Sequence, residues 1–269
     1  MDIPELRRCR SLLFLPASNE RAIAKARELD ADLVILDLED AVPDRDKPAA
    51  REAAVAAIAQ GFGGRAAAIR VNPAESRHYG EDVVAVRRSA AQFIVLAKAE
   101  SPKQVADAAW LMGRPVLAMI ETPRGVLDAA AIAPMSRGLI AGTNDLAAAL
   151  GLPPDAGRAG LDYALQRIVL AARAAGVAAF DGVHNRLEAS EALTAECEEG
   201  RRLGFDGKSI IHPSQIATVN LVFAPSEAEI ESAQRLVAAA TGGAERHEGR
   251  MIETLHLEQA RMTIAKARQ

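Results

Sequence analysis

Short apolar runs alternate along the chain with longer alanine-rich stretches whose apolar residues recur at helical spacing. The apolar runs predict strands at Ser11–Pro16, Leu33–Glu39, Ala66–Asn72, Phe93–Lys98, Pro115–Glu121, Gly138–Gly142, Val177–Val183 and Gly207–Pro213. Helices are predicted between them, among them Asn19–Leu29, Lys47–Gln60, Tyr79–Ala90, Pro102–Met112, Leu161–Ala175 and Leu187–Leu203. Such alternation is the pattern of repeated βα units on a parallel sheet, and eight strands is the number that closes a TIM (β/α)8 barrel. A doubly wound open sheet is the alternative, but no GxGxxG turn follows the first strand. The run Gly61-Phe62-Gly63-Gly64 joins a helix to a strand, the wrong place for a dinucleotide fingerprint.

Past the eighth strand, Pro225-Ser226-Glu227 opens another helix with Ser226 as its N-cap. Thr241-Gly242-Gly243 ends it, and Gly249–Ala267 reads as a final amphipathic segment. We therefore expect a barrel over residues 1–224 and a C-terminal helical tail over residues 225–269. The tail's spare apolar surface predicts a lid or an oligomer contact.

Composition narrows the function classes. The 269 residues carry 32 basic and 36 acidic side chains, and only 3% are aromatic. A nucleic-acid binder wants a basic stripe and stacking platforms, so this class is disfavoured. No apolar run approaches the roughly 18 residues that span a bilayer, and the apolar stretch Leu12–Leu15 is too short for a secretory signal. Cys9 and Cys197 are too few for a disulfide framework or a thiolate zinc site. A reducing, cytoplasmic setting with a small-molecule partner, and neither nucleic acid nor membrane, is the expectation.

In parallel α/β folds the reactive groups gather at the carboxyl ends of the strands. Period-two alternation turns Val34, Leu36 and Leu38 towards the helices and Asp37 and Glu39 inwards. Two inward carboxylates repel each other unless a cation is near; the bland reading is a helix cap or an ion pair. On the next strand Ala66, Ala68, Arg70 and Asn72 share a face, with small neighbours leaving Arg70 room to project. Its planar fork suits a bidentate grip on a carboxylate, whether of a substrate or of Asp37 or Glu39. Glu121 ends the fifth strand, and Asp145 follows the sixth in Gly142-Thr143-Asn144-Asp145. Carboxylates on adjacent strand tips, with no histidine or cysteine beside them, suit a hard cation such as Mg2+; Asp145 as a plain N-cap is the alternative. Lys98 at the end of the fourth strand raises a Schiff-base aldolase, but adjacent Glu100 is expected to keep it protonated. The five histidines lack metal-ligand spacing, and His212-Pro213 is expected to order a loop.

Six segments, in order across nearly the whole chain, resemble the citrate lyase β-subunit family of CoA-thioester lyases within the HpcH/HpaI aldolase superfamily. They are Arg10-Ser11-Leu12-Leu13-Phe14-Leu15-Pro16, Leu36-Asp37-Leu38-Glu39-Asp40-Ala41-Val42, Ile69-Arg70-Val71-Asn72, Glu121-Thr122, Gly142-Thr143-Asn144-Asp145-Leu146, and Gly204-Phe205-Asp206-Gly207-Lys208 with Ile211-His212-Pro213-Ser214-Gln215. The resemblance implies a TIM barrel, a homotrimer or homohexamer, and magnesium on Glu121 and Asp145. It implies that Arg70 holds a 2-oxo acid, that the backbone of Gly142, Thr143 and Asn144 meets the same carboxylate, and that Asp37 and Glu39 order Arg70 and the metal's waters. Lys98 and the stretch Pro16–Arg21 are placed by it against substrate or CoA. Free-standing relatives tend to carry Met-Ile-Asp on a C-terminal segment that reaches a neighbouring subunit's site; here the run is Met251-Ile252-Glu253. Glu253 keeps an acid–base group but shifts it by more than the roughly 1 Å that can cost about a hundredfold in rate.

The implied reaction is cleavage of a citramalyl-, malyl- or citryl-CoA type thioester to a 2-oxo acid and acetyl-CoA. Its rivals are an aldolase of free 4-hydroxy-2-oxo acids, a citrate lyase β subunit acting on an acyl carrier protein, and a noncatalytic CoA-binding subunit.

Overall fold

The computed structural model describes residues 1–239, 245–247 and 250–267. The chain forms two compact units, Met1–Asn220 and Leu221–Gln269. In the first, β1 (Ser11–Pro16), β2 (Leu33–Asp37), β3 (Ala66–Val71), β4 (Phe93–Leu96), β5 (Val116–Ile120), β6 (Gly138–Ala141), β7 (Ala178–Asp181) and β8 (Gly207–Ile210) pair in sequence order and close into a parallel barrel. Pairing of β1 with both β2 and β8 removes the open-sheet alternative. Every strand but β1 stops one to three residues short of its predicted end. Those last residues leave the ladder to build the mouth.

Inside the barrel, Leu12 and Phe14, Leu33 and Ile35, Ala66 and Ala68, Phe93 and Val95, and Leu117 and Met119 join Ile140, Ala178 and Phe180 in one buried cluster. These are alternate residues, as a strand requires. The alanines of β3 leave room for the phenylalanines of β1, β4 and β7. The intervening Leu13, Val34, Leu36, Ile69 and Ile94 are buried as well, which is why the strands read as unbroken apolar runs. One step further up the inward face stand Asp37, Arg70, Glu121 and Gly142. Chemistry begins where the apolar layers end.

The surrounding helices start where capping chemistry allows. Asn19, Ser101, Thr122 and Ser190 each accept a backbone N–H from the first turn of the helix that follows. Ser190 thus moves the start of the predicted Leu187–Leu203 helix to Glu191. Thr122 opens the helix Pro123–Ile132, which periodicity alone did not single out.

In the second unit, the helix Glu227–Ala239 opens as expected, with Glu229 N–H bonded to Ser226 Oγ at 3.3 Å. The stop expected at Thr241-Gly242-Gly243 and the start at Gly249 lie outside the described residues. The final segment is not helical throughout. Arg250–Ile252 pairs antiparallel with Glu245–His247, and only then does the helix Thr254–Lys266 begin. Among the described residues no helix is long and apolar enough to cross a membrane.

Where β8 meets the chain leading into β1, a glycine permits close backbone approach. A Cβ at Gly207 would lie 2.4 Å from the Arg10 carbonyl oxygen and 2.5 Å from that of Cys9. Those atoms are backbone and cannot step aside, so Gly207→Ala is expected to cost roughly 1–3 kcal/mol. Gly80, in the helix Tyr79–Arg88, has open space around it, and Gly80→Ala is expected to add about 0.5 kcal/mol. Urea denaturation of the two variants checks the opposite signs.

Candidate active site

β2 and β3 pair with Asp37 opposite Arg70, so the two side chains emerge side by side at the top of the barrel. Arg70 Nε donates to Asp37 Oδ1 at 2.6 Å and Nη2 donates to Oδ2 at 2.5 Å. This is the bidentate fork that a guanidinium makes best. Asp37 also accepts the N–H groups of Glu39 at 2.8 Å and Ala41 at 3.0 Å, which shapes the turn after β2. The guanidinium lies 5.4 Å from the Phe14 ring centroid. Its Nη1 stands 3.1 Å from Glu39 Oε2 and 3.7 Å from Met119 Sδ. Burial works against the Arg70 charge, but Asp37, then Glu39 and Glu121, outweigh it and raise its pKa.

Glu39 sits in the turn beyond β2. Buried Lys47 holds that turn, donating from Nζ to the carbonyls of Leu38 at 2.7 Å and Glu39 at 2.9 Å and to Asn72 Oδ1 at 2.8 Å. Asn72 does not share the inward face with Arg70. β3 ends at Val71, and the Asn72 amide turns outward to Asp82 Oδ2 at 2.7 Å. Burial pushes the Glu39 carboxyl up, while Arg70 pulls it back.

Lys98 finds partners other than the expected Glu100. Its Nζ stands 3.2 Å from Glu39 Oε1 and 3.7 Å from Asp145 Oδ1. Glu100 lies in the turn that follows, where its N–H donates to Gln104. Burial lowers the Lys98 pKa, but Glu39 and Asp145 raise it further, so the ammonium is kept and the imine route loses its nucleophile.

Glu121 is buried at the end of β5. Lys98 N–H donates to its Oε1 at 2.7 Å. A Cβ at Gly142 would fall 2.3 Å from Glu121 Cβ and 2.5 Å from Oε2, so the glycine is the space that Glu121 occupies. Burial, then the charges of Glu39 and Asp145, push the Glu121 carboxyl up to about 8. Asp145 stands in the first turn of the helix Thr143–Ala149, and Gly142, not Asp145, is the N-cap. The Asp145 side chain is 38% exposed, which leaves its carboxylate open to a ligand.

A cavity of about 400 Å³ joins these groups, lined by Phe14, Pro16, Asp37, Arg70, Met119, Glu121, Gly142, Thr143, Asn144 and Asp145. Glu39 and Lys98 line an adjoining cavity of about 500 Å³. Asn144 exchanges amide hydrogen bonds of 2.9 and 2.8 Å with Asn185, beyond β7. Sequence periodicity had no signal for Asn185, nor for the stacking of Phe14 on Arg70. It also missed a role for Lys208, which is fully buried and donates to Asp181 at 2.9 Å, Gly182 O at 2.6 Å and Glu196 at 2.6 Å. Asp181 pairs with Lys208 across β7 and β8, so a charged residue on each of two neighbouring strands was the available clue. Glu253 belongs to the second unit, where it precedes the helix Thr254–Lys266 and donates its N–H to His256 Nδ1 at 2.9 Å. His212 caps the short turn Pro213–Gln215, the loop-ordering role expected of it.

Removing one member of a buried ion pair strands the other. Asp37→Ala leaves the Arg70 guanidinium without its bidentate partner and is expected to cost about 3–5 kcal/mol. Asp40 is exposed at the rim, and Asp40→Ala is expected to stay within about 0.5 kcal/mol. Equilibrium urea unfolding of both variants measures the difference.

Comparison with known proteins agrees with the barrel fold. The family model described as HpcH/HpaI aldolase/citrate lyase matches residues 10–213. A (3S)-malyl-CoA thioesterase from Cereibacter sphaeroides is 42% identical over 269 residues, covering 96% of this chain and 94% of that protein. A citrate lyase subunit beta from Leuconostoc mesenteroides subsp. cremoris is 35% identical over 246 residues, covering 86% of this chain and 82% of that one. Among solved structures, protein CitE from Mycobacterium tuberculosis in complex with magnesium, acetoacetate and coenzyme A superposes with a TM-score of 0.83 at 34% identity. That match covers 98% of this chain and 100% of the other. The chain, with its acidic strand tips facing a fixed arginine, belongs to the HpcH/HpaI aldolase/citrate lyase family.

Proposed function

We propose that this protein is a magnesium-dependent carbon–carbon lyase that cleaves a 3-hydroxyacyl-CoA of the citramalyl-, malyl- or citryl-CoA type to a 2-oxo acid and acetyl-CoA. One observation carries the reading: Glu121 and Asp145 line a single cavity with Arg70, in a family with a member solved with magnesium and coenzyme A.

The residues present fit the metal. Asp37, Glu39, Glu121 and Asp145 supply four carboxylates against the two cations Arg70 and Lys98. A divalent ion would relieve the repulsion that pushes the Glu121 carboxyl up to about 8, and the donors are all oxygen. Among the described residues no cage of three or more metal-binding side chains forms. Magnesium often takes only one or two protein carboxylates and fills its shell with water and substrate. We assign Glu121 and Asp145 as its ligands. When bound, the metal supplies Lewis acidity at the oxygen where the carbonyl develops.

The remaining work falls to the chain's own side chains. Nε and Nη2 of Arg70 are held by Asp37, whereas Nη1 has a thioether sulfur, a weak acceptor, and the ion-pairing Glu39 Oε2 near it, so Nη1–H is the donor offered to a 2-oxo acid oxygen. The backbone at Gly142, Thr143 and Asn144 receives the substrate carboxylate, and Lys98 lies within reach of its charged end. Asp37 keeps Arg70 aligned, and Glu39 orders water at the mouth. A base takes the 3-hydroxyl proton; the assigned group is Glu253 of a neighbouring subunit in a homotrimer or homohexamer, or a water held near Asp37. The bond between the carbinol carbon and the thioester's α-carbon then breaks. Its electron pair forms the acetyl-CoA enolate, which takes up a proton. The buried thiols of Cys9 and Cys197 support a reducing, cytoplasmic setting.

Thioester hydrolysis is the second reading, favoured by the name of the 42% identical relative. Water would attack the thioester carbonyl, breaking the C–S bond and releasing CoA thiol with the intact hydroxy acid. The two reactions differ in products. Lyase turnover yields a 2-oxo acid that phenylhydrazine traps, whereas hydrolysis yields free thiol. The protein's own thiols stay silent in the thiol assay, because burial pushes Cys197 up to about 12 and Cys9 is buried too.

We expect 2-oxo acid from at least one of the three thioesters, turnover lost in EDTA and restored by magnesium. Glu121→Gln and Asp145→Asn should each lose about a hundredfold or more in kcat/KM. Turnover indifferent to EDTA would overturn the assignment.

A further inference from the structure

Lys98 is the one non-glycine residue with a left-handed backbone among the described residues, at φ 51°. A side chain with a Cβ adopts that region at a cost, and such strain collects at functional sites. Here it brings three contacts together. The Lys98 N–H holds Glu121 Oε1, while its ammonium stands between Glu39 and Asp145. One residue thereby touches three of the carboxylates at the mouth.

The two cations of the mouth are not equivalent. Arg70 is locked into Asp37 and buried beneath the cavity. Lys98 makes looser contacts and its side chain is 34% exposed. Its stem is flexible, and beside it opens the second cavity, which Glu39 and Asp40 also line. A lysine ammonium is a mobile point charge, whereas a forked guanidinium is a fixed one.

We propose that the Lys98 ammonium is the resident counter-cation of the metal-free mouth and that magnesium binding displaces it from Asp145 into the adjoining cavity. This rests on the metal assignment made above. Two cations cannot share Asp145 without strong repulsion at such separations. In the metal-free protein the ammonium stands between Glu39 and Asp145 and offsets their mutual repulsion. Once displaced, it remains beside Glu39, which lines the adjoining cavity with it. Metal affinity is therefore set partly by a residue that is not a ligand.

Calorimetric titration of magnesium into EDTA-stripped protein tests this without any assay of turnover. Lys98→Met removes the charge and keeps the stem, and Lys98→Gly also relieves the backbone should the methionine variant fold poorly. Both are expected to bind magnesium about tenfold more tightly than the parent, and to melt at a lower temperature in EDTA, with the difference shrinking when magnesium is added. Lys98→Arg should keep an affinity close to that of the parent. Unchanged or weaker magnesium binding in both neutral variants would overturn the proposal. A parent protein that takes up no magnesium at all would instead sink the metal assignment, and the proposal with it.

Discussion

The ion pair between Asp37 and Arg70 is the interaction on which the rest of the mouth depends. It occupies the first inward layer above an apolar barrel interior, where an unpaired charge is costly. Stability alone does not account for it, since buried ion pairs are often no better than well-packed apolar side chains of the same volume. Its value lies in what it leaves available. With Nε and Nη2 committed to Asp37, the guanidinium is fixed in one plane, and Nη1 faces the cavity with only a thioether and the edge of Glu39 near it. A rigid donor at one wall and two acidic tips at the other define how a small oxygen-rich anion must lie.

Support for the acidic wall comes from the neighbouring strands β7 and β8. Lys208 ties Asp181, Gly182 and Glu196 together, and Arg158 adds Asp181, Glu196 and Glu199 to the same network. Gly182, fixed by this network, packs so closely on Thr143 that a Cβ there would fall 2.4 Å from Thr143 Oγ1. Thr143 begins the helix that carries Asp145. The position of a carboxylate at the mouth is thus over-determined by a charged network that never reaches the cavity, as a site built on rigid elements requires.

Periodicity makes much of this legible in the sequence. A strand repeats every two residues, so once Leu33 and Ile35 face inwards, Asp37 must follow them, and likewise Arg70 after Ala66 and Ala68. Glu121, one residue past β5, still keeps the inward side of Leu117 and Met119. Past a strand's end the alternation is followed only in part. Asn72 sits one residue beyond β3, where the alternation no longer binds it, and it turns to Asp82 instead. Glu100 is near Lys98 in sequence, yet barrel curvature brings Glu39 and Asp145 to it from separate strand ends. The break between Arg250–Ile252 and the helix after it was hidden because a strand of three residues is too short to show a period.

Glycine marks the places where the mouth is built by omission. At Gly142 the missing Cβ is the volume that Glu121 fills, and at Gly182 it is the volume that Thr143 fills. Both pack an acidic or polar side chain against bare backbone, which excludes water from one side of the group while the cavity stays open on the other. For Glu121 that asymmetry has a direct electrostatic result. Burial disfavours its charge, and the neighbouring carboxylates disfavour it further, so the carboxylate gains most when a cation arrives. The same geometry explains why the strain falls on Lys98 rather than elsewhere. Only a backbone bent back at the tip of β4 supplies both an N–H for Glu121 and an ammonium for the carboxylates on either side.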